Sequence, residues 1–544
     1  MRNNKKVQKS FCSVKALSNN KHHSLGHSSF YRAVKNEPTY FLIESVELKS
    51  LFRSVGDLQD YLQKNKMADS GQAKTFPQYI AALSVCLGAV AAGAVLGWTS
   101  NISKDLQKGG LNDLVISDDQ LGWIGSFVTL GALLMCFPIG YICDLIGRKW
   151  GCLLTLIPFT VGWLLVIFSS SVSVIYVGRF LTGLAGGSFC VAAPIYTAEI
   201  AQASIRGALG SYFQLLLTVG ILIVYVGGAW MHPKDLAILS AVIPIVFAVV
   251  FFFQPETPIY LMKKNRPEEA KKALQRLRGN AYDCDAELKE IQLSFEQGSS
   301  EKSFMTVLKT KAAIKACLIT FSLMFFQQMS GINAVIFYTG KIFEASGSSL
   351  DPAVGTIIVG ILQTSATFGS SLIVDKFGRK ILLLISIAFM GLSEFVLGLF
   401  FTFKERSVLD DDQLKAIGFL PIICLGIYIV MFSVGFGPIP WMISAELMPE
   451  EVKSTMVSAA ATFNWFLAFI VTKFYVNLKT SIGGDVTFYI FSGICIGGAA
   501  FVLFCVPETK GKSVAEVQAL LSGDKTAPVS NEKEGIDNPT FDKN

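Results

Sequence analysis

The sequence predicts an all-α membrane protein whose twelve transmembrane helices form two pseudo-symmetric six-helix halves. Three observations lead there: an apolar composition, twelve apolar runs of membrane-spanning length, and a set of motifs that occurs twice in the same order. Of the 544 residues 51% are hydrophobic and only 16% charged, with a mean hydropathy of +0.49. Soluble domains carry roughly a quarter charged residues, so a soluble enzyme is excluded. The 42 Phe and 47 Gly suit lipid-facing helices that pack closely. Most of the 11 Cys sit inside apolar runs, where a thiol packs as a small hydrophobe rather than joining a disulfide framework. Three of the four His (His22, His23, His27) share one polar tail, which leaves no spaced set of metal ligands and implies no cofactor. No nucleophile–base pair and no nucleotide-binding loop is present, so catalysis and ATP drive are excluded.

A helix crossing the hydrocarbon core needs about 20 mostly apolar residues. Such runs lie near 78–98, 121–142, 150–169, 174–198, 208–229 and 236–254, and again near 312–338, 353–374, 381–402, 416–442, 455–477 and 485–506. Backbone groups in lipid must be satisfied internally, so these are helices and not strands. The chain divides into a cytoplasmic tail over 1–76, expected to be largely disordered, a six-helix half over 77–261, and a helical cytoplasmic linker over 262–311. A second six-helix half over 312–508 and a cytoplasmic tail over 509–544 follow. In the linker, Glu268 and Glu269 stand three and four residues before Lys271 and Lys272, the spacing of a solvent-facing helix.

Twelve spans put both termini on one side, and 36 of the 47 Lys and Arg fall on that side, which makes it cytoplasmic. Asn101-Ile-Ser103 is an N-glycosylation sequon in the expected first external loop. The first 77 residues carry 13 basic and 6 acidic residues, a diffuse excess that suits solvation beside a membrane and no nucleic-acid partner.

The repeat comes in three pieces. Asp144-Leu-Ile-Gly147-Arg148-Lys149 after the second span returns as Asp375-Lys-Phe-Gly378-Arg379-Lys380 after the eighth. Glu199 with Arg206 returns as Glu446 with Lys453, and Pro255-Glu256-Thr257 as Pro507-Glu508-Thr509. With Gly178-Arg179, Gln327-Gln328-Met-Ser330-Gly331-Ile-Asn333 and Gly437-Pro438-Ile-Pro440-Trp441, these motifs resemble the sugar porters of the major facilitator superfamily over about 77–515. Gly97-Trp98-Thr99-Ser100 and Phe469-Ile-Val-Thr-Lys473 look more like insect facilitated trehalose transporters and the related class III facilitative glucose transporters.

A sugar presents many hydroxyls, weakly apolar ring faces and no charge, so its site needs amides that donate and accept, with an aromatic wall. The resemblance carries sugar binding onto Gln214, Gln327, Gln328, Asn333, Trp441 and Asn464, with Gln363 where the family has Asn; Ile221 and Tyr338 join them as candidate lining. An amide unpaired in lipid is expensive, so these side chains should face the interior; interhelical hydrogen bonding is the plainer alternative for any one of them. Gln327 and Asn333 lie 240° apart on a straight helix, so a break at Ser330-Gly331 is expected. Pro438 and Pro440 should break the tenth span. Ser433 and Ala468 replace an acid and an amide of glucose-selective relatives, which admits a disaccharide.

The repeated charges (Asp144, Arg148, Glu199, Arg206 and Glu256; Asp375, Arg379, Glu446, Lys453 and Glu508) are expected to form a latch between the halves, a network that exists only when the cytoplasmic side is closed and so biases a conformational equilibrium. Glu394 is the only clear acid within the spans, and it alone supports proton coupling. The reading is therefore a facilitated-diffusion carrier of trehalose or a hexose such as glucose, with a proton symporter or a non-transporting sensor as alternatives. Its partners are a sugar and the lipid bilayer, with no obligate protein partner evident. The location is the plasma membrane. An acidic dileucine signal at Glu516–Leu521 would instead indicate endosomes or lysosomes, and the same residues fit an amphipathic helix.

Overall fold

The computed structural model describes residues 73–522 except 203, 299–303, 347–350 and 513. The tail over 1–72 and the residues after 522, on which expectations about disorder rest, lie outside the described residues. Among the described residues there is no strand, and twelve helices are long and apolar enough to cross a membrane. They are α1 Phe76–Gln107, α2 Asp118–Ile146, α3 Arg148–Ile167, α4 Val172–Ile200, α5 Arg206–Trp230 and α6 Pro233–Phe252, then α7 Lys311–Ala345, α8 Pro352–Val374, α9 Arg379–Glu405, α10 Leu420–Leu447, α11 Thr455–Ile482 and α12 Gly484–Cys505. The end of the molecule that carries the α6–α7 linker is called the near end below, and the opposite one the far end.

The packing obeys the repeat. In the first half α1 lies on α5 and α2 on α4; in the second α7 lies on α11 and α8 on α10. The halves meet where α2 packs on α11 and where α5 packs on α8, two interfaces that the pseudo-twofold axis exchanges. Small residues permit the closest approaches. A Cβ at Gly183 would lie 2.1 Å from the Val128 carbonyl oxygen of α2, and one at Gly220 would lie 2.1 Å from that of Val90 in α1. Without a hydrophobic drive between helices in lipid, such backbone contact supplies the van der Waals attraction that holds the bundle.

Two expectations about α1 need correction. The helix does not stop near residue 98 but runs through Thr99–Gln107. Asn101 is therefore in a helix, not an external loop. Its Nδ2 donates to the Tyr225 carbonyl at 2.7 Å, so the nitrogen a glycan would use is already engaged.

In the linker, Pro258–Lys263, Pro267–Arg278 and Cys284–Gly298 are helical. Its charges pair differently from the expected pattern: Arg266 with Glu269, and Lys271 across to Asp285 on the next helix. Ala270, Leu274 and Leu277 turn inward, so the linker helix has a packed face as well as a wet one. At the carboxy-terminal end, Val514–Ser522 is helical, with Val517 and Leu521 buried and Gln518 donating to the Leu447 carbonyl. Burial of Leu521 favours the amphipathic-helix reading over an exposed dileucine.

The expected break in α7 is present. Helix Lys311–Met329 ends, Gly331 takes φ +88°, and a second helix starts at Ile332. A Cβ at Gly331 would also sit 2.6 Å from Phe491. A side chain in left-handed backbone costs roughly 1–2 kcal/mol before that clash is counted. Gly331→Ala should therefore lower the melting temperature in detergent by at least about 1–2 °C, while Gly369→Ala, with open space around it, should leave it unchanged. Equal melting of both variants would contradict a glycine-dependent break.

Candidate functional site

Breaking a helix in a membrane frees backbone groups, and here side chains of neighbouring helices take the carbonyls that the breaks release. Pro438 and Pro440 lack the N–H groups that would bond the carbonyls four residues earlier, those of Val434 and Phe436. Ser370 of α8 donates to the Val434 carbonyl at 3.0 Å, and Gln327 Nε2 of α7 donates to the Phe436 carbonyl at 2.6 Å and to that of Gly437 at 2.9 Å. The turn itself widens to a π-helix over Phe432–Phe436, where Ser386 Oγ of α9 donates to the Met431 carbonyl and accepts from the Phe436 N–H. The α7 break is held in turn by α10: Tyr428 Oη donates to the Ser330 carbonyl at 3.0 Å. Each broken helix is the other's splint.

From Gln327 a chain of neutral amides runs outward. Asn464 Nδ2 of α11 donates to Gln327 Oε1 at 2.7 Å, and Gln328 Nε2 donates to Asn464 Oδ1 at 2.8 Å. Asn333 Nδ2 donates to Gln328 Oε1 across the α7 break. The break thus does what the helical angle demanded and brings residues from opposite faces of α7 into one chain. Its two ends differ. Gln327 uses both N–H groups and its oxygen, and it is 2% exposed like Asn464. Gln328 and Asn333 are 8% and 6% exposed, and each keeps one N–H, with the Asn333 oxygen, without a partner among the described residues. Gln327 and Asn464 therefore support the hinge, and the Gln328–Asn333 end has hydrogen bonds to offer.

The remaining candidates separate. Gln363 is buried on α8, two turns from Ser370 on the same stripe, and stands outside the amide chain. Gln214 of α5 and Trp441, just past the α10 hinge, are both half-buried with no hydrogen bond among the described residues. Two candidates are corrected. Ile221 is fully buried against Gly97 of α1 and belongs to the α1–α5 contact. Tyr338 donates to the Thr472 carbonyl at 3.1 Å and stacks on Tyr475 at 5.2 Å, so it plugs the far end instead of facing a ligand. Glu394 is buried on α9, where it makes a polar contact with a neighbouring helix by accepting from Cys495 Sγ of α12 at 3.4 Å, and among the described residues it makes no hydrogen bond to the amide chain. Residue patterns missed Ser370, Ser386 and Tyr428. The two prolines did mark which carbonyls needed donors, but a serine or tyrosine in an apolar run gives no sign of which carbonyl it serves.

At the far end the two halves are tied to each other. Lys473 of α11 pairs with Asp119 of α2 at 2.7 Å while lying 4.2 Å over the Trp123 ring; Lys104 pairs with Glu344 at 3.1 Å, and Lys341 with Asp118. Tyr225 Oη of α5 donates to the Ile336 carbonyl of α7 at 2.7 Å.

The near-end pairs formed in this structure lie inside each half. Arg148 pairs with Asp144 at 2.8 Å and Glu199 at 2.9 Å, and Arg379 with Glu446 at 3.2 Å, all within one half. Arg206 donates to the Ala201 carbonyl; the Asp375 side chain lies outside the described residues. Gly147 and Gly378, at φ +106° and +88°, turn the chain so that Glu256 and Glu508 each cap the following helix, accepting from the N–H groups of Arg148 and Lys149, and of Arg379 and Lys380. Thr257 and Thr509 donate to Glu199 and Glu446. The whole repeated motif is one joint, built twice, that clasps three helix ends inside each half. The two copies differ electrostatically. Burial pushes the Glu256 carboxyl above its usual range despite its backbone donors. Burial also acts on Glu508, but the backbone N–H groups of Lys510, Arg379, Lys380 and Thr509 overcome it and hold that carboxyl below its usual range.

The family described as Sugar (and other) transporter matches residues 61–521. The chain belongs to the sugar transporter family. It is 39% identical over 448 residues to a facilitated trehalose transporter Tret1 of Anopheles gambiae, covering 82% of this chain and 56% of that protein. It is 39% identical over 451 residues to a facilitated trehalose transporter Tret1-2 homolog of Drosophila simulans, covering 82% and 92%. The chain thus spans about half the length of the Anopheles protein and nearly all of the Drosophila one. Among solved structures it resembles the xylose transporter XylE from E. coli in an inward open conformation, with a TM-score of 0.67 at 22% identity over 81% of this chain and 98% of that one. XylE bound to 6-bromo-6-deoxy-D-glucose matches equally, with a TM-score of 0.67 at 23% identity over 82% and 99%. This likeness shows the major facilitator fold.

Two measurements test this geometry. Gln327→Ala strands the Phe436 and Gly437 carbonyls, at about 1–3 kcal/mol each, whereas Asn333→Ala removes one bond at the open end. Melting in detergent should fall strongly for the first and little for the second; the reverse order would contradict the splint. The joints predict a pH dependence. A depressed carboxyl contributes stability that is present above its unfolded pKa and is lost as pH falls through its folded value. The Glu508→Gln variant should therefore melt lower than the parent at pH 7, with the gap closing below about pH 4. Glu256, raised, already lacks that contribution, so Glu256→Gln should open a smaller gap at pH 7. Equal gaps for the two variants would contradict the asymmetry.

Proposed function

We propose that this chain is a facilitated-diffusion carrier that moves a neutral sugar, trehalose or a hexose such as glucose, across the plasma membrane by alternating access. The observation that carries the reading is the open end of the amide chain, with two N–H groups and one oxygen unused at Gln328 and Asn333, beside two broken helices. These groups recognise hydroxyls and offer nothing to a charge. Gln214, Gln363 and Trp441 complete the proposed sugar site from α5, α8 and α10. Ser433 and Ala468 stand where glucose-selective relatives carry larger polar side chains, a change that admits a disaccharide, and relatives named as trehalose transporters support the disaccharide.

With its termini and linker in the cytoplasm, as the basic-residue bias favours, the far end faces outward. There the halves are joined, while the near-end pairs described above stay within a half. This distribution supports a carrier closed to the outside. Breaking α7 and α10 in mid-membrane gives each half a place to bend, and the joints keep the near ends of α2, α4 and α6 moving as a unit. Glu394 lies apart from the amide chain, which supports transport without proton coupling.

Uptake of radiolabelled trehalose and glucose in oocytes tests the proposal. Saturable uptake that equilibrates without accumulating, and that is indifferent to external pH between 5.5 and 7.5, is expected, with KM raised at least tenfold in Gln328→Ala and Asn333→Ala. Absence of saturable flux for any sugar would overturn it, as would accumulation that requires a proton gradient and Glu394.

A further inference from the structure

We propose that the cleft between the linker helix Pro267–Arg278 and the near ends of α2, α3 and α6 holds the phosphorylated headgroup of an anionic lipid, a phosphoinositide, from the leaflet on the linker side. The cleft has a volume of about 430 Å3 and is bordered by Lys149, Trp150, Glu256, Tyr260, Lys272 and Arg276. Arg266 and Glu269 complete its charged rim, giving four cations against two carboxylates.

Both carboxylates are engaged. Glu256 accepts from the backbone N–H groups of Arg148, Lys149 and Thr257, and Glu269 pairs with Arg266. The cations are not matched in the same way. Lys149 lies 5.6 Å over the Trp150 ring and 5.2 Å over that of Phe252, with no ion pair among the described residues. Lys272 is exposed and likewise makes no ion pair among them. Arg276, one turn further along the same helix face, donates to the Phe253 carbonyl, which fixes its guanidinium at the end of α6 and leaves its other N–H groups available. Two ammonium groups and a held guanidinium fork around an open cleft suit a phosphate, and more so a phosphomonoester carrying extra charge. A zwitterionic headgroup gains less, because no free carboxylate remains for its ammonium.

The surroundings favour a lipid over a soluble phosphate. Trp150, Phe252 and Phe253 are 51%, 52% and 65% exposed beside the cleft, the position of an aromatic belt at a membrane boundary. Val249 and Leu154 continue an exposed apolar surface along α6 and α3, against which acyl chains can lie. The proposal is independent of which sugar is carried and uses only the placement of the linker at a membrane surface.

The test is native mass spectrometry of the full chain in detergent, offered equal amounts of phosphatidylinositol 4,5-bisphosphate and phosphatidylcholine. The parent should retain the phosphoinositide at least tenfold over phosphatidylcholine. Lys272→Ala/Arg276→Ala should lose that preference, and so in part should Lys272→Gln, a change at an exposed side chain that the fold does not use. Lys108→Ala/Lys415→Ala, at the far end, should keep it. Soluble inositol 1,4,5-trisphosphate should bind at least tenfold more weakly than the lipid. Undiminished preference in both cleft variants, equal retention of phosphatidylcholine, or equally tight binding of the soluble headgroup would each overturn the proposal. None of these outcomes depends on sugar uptake, which is measured separately.

Discussion

A helix interrupted inside a bilayer must find partners for every backbone group it releases, because no water is there to take them. That requirement organises the second half of this protein. The α10 interruption leaves carbonyls at Val434 and Phe436, and they are taken by Ser370 and Gln327. The α7 interruption leaves the Ser330 carbonyl, which Tyr428 of α10 takes. Two elements that could each bend are therefore coupled, and the coupling passes through a glutamine that also begins the amide chain. A ligand on Gln328 is three hydrogen bonds from the α10 hinge, through Asn464 and Gln327. This contiguity gives a physical route by which occupancy and helix geometry can influence each other.

The charged residues divide into two kinds of fastening. At the near end they are internal joints, where a glycine turn lets a carboxylate cap the next helix and an arginine reach two further acids. At the far end they are ties between the halves, with Lys473 held both by Asp119 and by the face of Trp123. Exposed ion pairs are individually weak, but Lys473 and Arg148 are largely shielded from water, so their pairs are less screened. The proposed carrier would use this contrast, with the joints preserving each half as a body and the ties holding one arrangement of the two bodies.

Much of the fold was legible in the sequence because its causes are local. Twelve apolar runs, the repeated motifs and the glycine between Gln328 and Asn333 each follow from the cost of exposing backbone or charge to lipid. The amide set was legible for the same reason, since a buried amide announces itself in an apolar run. What could not be read was which amide serves the backbone and which is free. Gln327 and Gln328 are adjacent and chemically identical, and only the position of α10 assigns one to the hinge. Ile221 and Tyr338 misled because an apolar or aromatic side chain on a spanning helix can face a neighbouring helix as readily as a ligand. The repeated acids pair within their own half here, Glu199 with Arg148 and Glu446 with Arg379, an assignment that mirror symmetry alone does not give. Asn101 carried an intact sequon but lies in a helix that hydropathy alone ended too early.

The division of labour along the amide chain is tested most directly by the structure of the full chain with a sugar bound. The account predicts ligand hydroxyls within hydrogen-bond distance of Gln328 and Asn333 while Gln327 remains on the Phe436 carbonyl. A ligand held by Gln327, with that carbonyl released, would contradict it.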